Sequence, residues 1–164
     1  MTTAMRTSVT GPTPLIATKL DPPLAASWLL PRRALIDRLS DDPVRLSLIS
    51  ASAGWGKTSL IAAWHQAVPG TSFAYVHLEP GDDDLATFWA YVLAAFESVG
   101  LAPDSLDRHE LLRAPGVDPM RRIVPQLVNE LHSVAIPLVL VLDDYHTISH
   151  QSIHDSVEYL IDHV

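Results

Sequence analysis

The sequence contains no cysteine, so disulfides and thiolate metal sites are excluded, and the chain fits a reducing compartment. It is poor in positive charge: 11 Lys and Arg stand against 19 Asp and Glu, a formal net charge of -8. Such an acidic domain is a poor match to a phosphate backbone and is not expected to grip DNA or RNA by itself. No apolar run is long enough for a signal peptide at the N-terminus, and the most apolar stretch, residues 134–142, is too short to span a bilayer and is broken by Pro137. A cytoplasmic chain with no membrane partner is the expectation. What remains is 164 residues, 48% hydrophobic and 18% charged, enough for one globular domain with a sizeable core.

Residues 1–17, rich in Thr, Ser and Pro, read as a flexible arm, and 18–33, with Pro22, Pro23 and Pro31, as an extended segment laid on a surface. Pro31 then opens a short amphipathic helix burying Leu35, Ile36 and Leu39. Residues 45–50 (RLSLIS) form a strand candidate that runs into a glycine turn and a helix over 58–66. A second strand is expected at 72–78, a helix over 86–96, a short helical piece at 109–113, and a helix from Asp118-Pro119 carrying Ile123, Val124, Leu127, Val128 and Leu131. The run 138–142 (LVLVL) has the form of a strand buried on both faces, and a last helix begins near Gln151. Strands alternating with helices predict an α/β fold with a parallel sheet.

The strongest chemical signal is ASAGWGKT at 51–58. A phosphate-binding loop (Walker A) presents backbone N–H groups to phosphate oxygens, and glycine lets the main chain come that close. On this reading Ala51, Ser52, Ala53, Gly54, Trp55, Gly56, Lys57, Thr58 and Ser59 wrap a nucleoside triphosphate. Lys57 reaches the β- and γ-phosphates, the Thr58 hydroxyl ligates magnesium, and the following helix points its N-terminus at the anion. The usual pattern opens on glycine; here Ala51 stands there, tolerable if its φ stays negative. The alternative is a chance Gly-Lys-Thr after a strand.

The second signal is LVLVLDD at 138–144, an apolar strand ending in two carboxylates (Walker B), the form of strand that partners such a loop. Asp143 is expected to hold the magnesium and Asp144 to act as the catalytic base that orients the attacking water. A solvated turn after a core strand is the plainer alternative. His146, His150 and His154, four apart, are read as solvated or capping rather than zinc ligands. Asp82–84 is read as acids at a helix start, and Arg121 and Arg122 as solvated.

With the loop SASAGWGKTSLIAAW and the strand LVLVLDDYHTISHQSIHDSVEYLI, the chain resembles the nucleotide-binding domain of large LuxR-type, MalT-like transcription regulators, a group of STAND ATPases. ATKL at 17–20 with Pro22-Pro23, LPR at 30–32, LEPGD at 78–82 with Phe88, and DDYH at 143–146 resemble further family segments. The resemblance runs from about residue 17 to the last residue. It implies a P-loop NTPase fold of the additional-strand (ASCE) type, a three-layer parallel sheet, with 18–164 as part of that domain. It also implies a place for Arg32 near the nucleotide, and ATP, ADP and Mg2+ as ligands. The family's mechanism implies an ATP-binding switch: ADP holds the closed state, ATP and an inducer favour self-association, and slow hydrolysis resets it. His146 is a candidate relay.

Family members are several times longer, with sensor repeats and a C-terminal helix-turn-helix that carries the DNA contact, none of it within these residues. The resemblance further implies a strand between the loop strand and the acidic strand that would lie beyond Val164. The chain is thus expected to be an N-terminal piece, truncated before its last strands, with exposed edges and negligible turnover alone. Two other readings stand beside this one: a small P-loop phosphotransferase (kinase), which would need an arginine-rich lid, and a non-catalytic binding remnant.

Overall fold

Two parallel strands with helices on both faces organise the chain. The computed structural model describes residues 14–24, 32–40, 44–101 and 119–164. Strand β1 (Ser72–His77) pairs with β2 (Leu138–Asp143), in a register that sets Ser72 opposite Leu138 and His77 opposite Asp143. Both are continuous apolar runs because both of their faces are covered. Phe73, Tyr75, Val139 and Val141 face helix α2 (Lys57–Ala67) through Ile61 and Trp64. Ala74, Val76, Leu138, Leu140 and Leu142 face helices α3 (Leu85–Ser98), α5 (Val124–Leu131) and α6 (Gln151–His163).

Helix α3 is the centre of the larger core. Nine consecutive residues, Phe88 to Phe96, are buried, as expected for a helix surrounded by other elements rather than lying on a surface. The Asp84 side chain caps it by accepting the Thr87 N–H at 2.9 Å, and Gly100 leaves it with φ +81. The indole of fully buried Trp89 donates to Ser156 on α6 at 3.0 Å, which satisfies the one polar atom that this ring brings inside. No described helix is long and apolar enough to cross a membrane.

Several sequence expectations need correction. Residues 46–50 form no strand: Leu46 is 62% and Leu48 86% exposed, and only Ile49 packs inward, against the α2 side of the sheet. A strand exists only through a partner, and no described strand pairs with this segment or with the outer edge of β2. The segment is held at both ends instead. Arg45 donates to the Asp162 carbonyl at the end of α6 at 2.8 Å, and the loop that follows meets the tip of β2. Helix α1 (Arg33–Ser40) buries no residue fully; Leu35 is 43% exposed. The helix expected from residue 118 is two pieces, α4 (Pro119–Arg122) and α5, separated by a turn at Ile123. Pro125 explains the break: it has no N–H to continue the ladder of the previous helix, and it sits in the first turn of α5, where none is needed. The helical piece expected at 109–113 lies outside the described residues, as do Pro31 and residues 1–13 of the expected arm.

The end of that arm is docked. Residues 17–19 form a 3-10 turn, Leu15 and Leu20 pack on the larger core, and the Ile16 N–H donates to the Tyr91 hydroxyl at 3.2 Å. Lys19 is buried, with its ammonium 2.7 Å from Asp82 and 2.9 Å from Glu79 and 5.0 Å from the centre of the Tyr91 ring. The acidic stretch after β1 is therefore consumed by structure. Asp82 answers Lys19, and Asp84 caps α3. Asp83 accepts the backbone N–H groups of Ser149 and His150 at 2.9 and 2.8 Å, together with the Ser149 hydroxyl, which ties the loop to the start of α6. The Ser149 hydroxyl first, then the two N–H groups, hold the Asp83 carboxyl below its ordinary range.

Candidate functional site

The loop from Ala51 to Gly56 enters α2 through two glycines in the left-handed region, Gly54 at φ +78 and Gly56 at φ +77. Any side chain there would be strained, which is the local reason for glycine at both positions. Gly56 also lies against Arg32, since a Cβ added to it would stand 3.4 Å from Nη2. Arg32 donates to the Trp55 carbonyl at 2.9 Å, so this residue does reach the loop. Within the loop the Trp55 N–H meets the Ser52 carbonyl at 3.3 Å, and Ala53 and Gly54 form the exposed turn between them. The Trp55 ring is 67% exposed. Lys57 curls back to donate to the Ala51 carbonyl at 3.0 Å, and Ser59 is half-buried beneath Gly56.

The tip of β2 meets this loop. The Thr58 hydroxyl donates to Asp143 Oδ2 at 2.9 Å across 85 residues of sequence. Asp143 is 5% exposed, and its other oxygen accepts the Asp144 N–H at 3.0 Å. A third donor reaches it from β1: the Tyr75 hydroxyl, at 2.9 Å from Oδ2. Burial, and then the hydrogen bond to Asp143, push the Tyr75 hydroxyl well above its ordinary pKa, so it stays a donor. Among the described residues Asp143 meets no lysine or arginine. Its negative charge rests on three hydrogen bonds, a demanding arrangement for a carboxylate this far from water.

A hydroxyl and a carboxylate at this spacing suit a hard cation. Magnesium is held by one or two protein oxygens, with waters and phosphate oxygens completing the set, rather than by a protein cage. The donor set Thr58 and Asp143 therefore fits such an ion. No described group of three or more His, Cys, Asp or Glu side chains could hold a metal by itself.

Asp144 has φ +56, a left-handed conformation uncommon outside glycine, and its carboxylate lies near two histidines. His77 Nδ1 lies 3.9 Å from one of its oxygens and His146 Nδ1 3.6 Å from the other. Backbone held in such a conformation is a recurrent feature of functional positions. The three spaced histidines do not converge: His146 is exposed beside Asp144, His150 stands at the N-cap position of α6 without a side-chain cap, and His154 bonds the Tyr145 hydroxyl at 2.8 Å.

Sequence reasoning missed Tyr75 and His77. Their one signal was polarity: each is a side chain with a polar tip in a strand otherwise apolar, and such tips need partners.

No family model matches the sequence. Among curated proteins it is similar to regulators called HTH-type transcriptional regulator MalT, from Cronobacter sakazakii and from two strains of Klebsiella pneumoniae. Each is 31% identical over 150 residues, covering 91% of this chain and 16% of the relative. The chain thus spans about a sixth of the length of the curated relatives it matches.

Proposed function

We propose that this chain, MalT-like over 91% of its length, is the ATP-binding switch segment of a signal-responsive transcriptional regulator. The observation that carries the proposal is the contact between Thr58 and Asp143 at 2.9 Å, beside a loop with two left-handed glycines and a lysine. Two segments 85 residues apart bring together the oxygen donors for a magnesium ion and the cation for a polyphosphate. On this reading the fold is that of a P-loop NTPase. Residues 51–59 wrap the phosphates, Lys57 neutralises their charge, and Arg32 braces the loop from outside. Thr58 and Asp143 would hold magnesium, which screens the phosphate oxygens when bound. Asp144, which lies near His77 and His146, orients a water for slow hydrolysis. The nucleotide acts through its different affinity for two conformations, so the exchange of ATP for ADP changes self-association. DNA contact belongs to other parts of such regulators.

The test is equilibrium titration of the chain with fluorescent ATP and ADP analogues in magnesium, followed by sedimentation with each. Both nucleotides are expected to compete for one site, and ATP to favour the larger species. Absence of saturable binding by the folded chain contradicts the proposal.

A further inference from the structure

Tyr75 has no part in the reading above, yet it touches the group on which that reading depends. It lies on β1, 4% exposed, packed with Ile61, Phe73 and Val141. A phenylalanine would fill the same volume. The hydroxyl adds a polar atom that burial penalises unless it is paired, and its partner is a carboxylate oxygen of Asp143. The strand register explains the reach. Tyr75 stands opposite Val141, two residues before Asp143 on the same face, so the phenol extends along β2 to its tip. There it shares Oδ2 with the Thr58 hydroxyl, while Oδ1 is occupied by the Asp144 N–H.

We propose that Tyr75 is the positioning residue for magnesium, holding the Asp143 carboxylate in the orientation that accepts the ion beside Thr58. This rests on the nucleotide reading and extends it to a residue that touches neither nucleotide nor ion. Three donors, from α2, from β1 and from the backbone just past β2, leave the carboxylate little rotational freedom, so its orientation is set before a cation arrives. Thr58 shares Oδ2 with the phenol, and its hydroxyl must turn a lone pair to the ion while keeping its O–H on Asp143, so it is the less fixed of the two side-chain donors. The phenol has no ligand role, so its only polar task at this site is to hold Asp143.

The variant Tyr75→Phe keeps the ring and removes one donor. It is tested in the 164-residue chain with a fluorescent ATP analogue, titrated once in magnesium and once in excess EDTA. Magnesium is then titrated onto the analogue-saturated protein. Affinity in EDTA should stay within about twofold of the parent, while the magnesium half-saturation point rises about tenfold, the low end for loss of an outer-shell partner. In an Asp143→Asn background the same substitution should change magnesium dependence no further. An unchanged half-saturation point in Tyr75→Phe, with normal behaviour of the parent, overturns the role of Tyr75 and leaves the nucleotide site standing. Equal weakening with and without magnesium also overturns it, since the phenol would then serve packing alone. A parent chain that binds no analogue in either condition overturns both the site and this inference.

Discussion

Lys57→Ala is expected to weaken binding of an ATP analogue by roughly a hundredfold while leaving the melting temperature unchanged. Truncating one partner of a hydrogen-bonded charge pair shielded from water costs about 2–5 kcal/mol, and bound phosphates would cover the Lys57 ammonium in that way, so the low end of the range is expected. The fold should not notice the change. Among the described residues the one polar contact of the Lys57 side chain is a hydrogen bond to the Ala51 carbonyl, in an exposed position where water can replace it. Fluorescence titration and thermal denaturation on the same preparations separate the two effects. Retained affinity would remove Lys57 from the phosphate site.

The largest effect on stability is expected at Lys19. Its side chain is 7% exposed and that of Asp82 4%, so Lys19→Ala leaves a carboxylate inside the protein without its cation. Breaking a buried pair from one side costs about 3–5 kcal/mol, a large part of the stability of a domain this size. Urea denaturation measures it directly. Removing both partners, Lys19→Ala with Asp82→Ala, should cost less than the sum of the single changes, because no lone charge is left behind. The pair also sets a pH window. Burial works against the Lys19 charge, but the hydrogen bonds that its ammonium donates to Asp82 and Glu79 outweigh it and raise its pKa above 10.5. That contribution is complete below 10.5 and is lost as pH rises through the higher folded value. The Lys19 hydrogen bond lowers the Glu79 pKa below 4.5, so its contribution is complete above 4.5 and is lost as pH falls through the lower folded value. Lys19→Ala should remove both dependences.

Much of the scaffold was legible in the residues because it is local. The glycines at 54 and 56, the apolar runs of β1 and β2 and the helical spacing in α2, α3 and α6 each carry their own signal, and each forms at the expected place. The pairing of Thr58 with Asp143 was foreseeable only as the meeting of two motifs, and the structure brings those two side chains into contact. The failures have different causes. Residues 46–50 have the composition of a strand, but strand formation depends on a neighbour that no local pattern reveals. The break before α5 was signalled by Pro125, a residue whose missing N–H should have outweighed the helical spacing around it. Lys19 and Asp82 lie 63 residues apart with no spacing rule to join them, and Tyr75 looked like one more core aromatic. In these last two cases the deciding partner comes from a distant part of the chain.

The most direct test of the account is a crystal structure of the chain with manganese in place of magnesium and a non-hydrolysable ATP analogue, read by anomalous scattering. The account predicts a single manganese peak in ligand contact with the Thr58 hydroxyl and beside Asp143, with the phosphates under the 51–58 loop and near the Lys57 ammonium. An analogue bound elsewhere, or a Thr58–Asp143 contact left intact with no ion beside it, would contradict it.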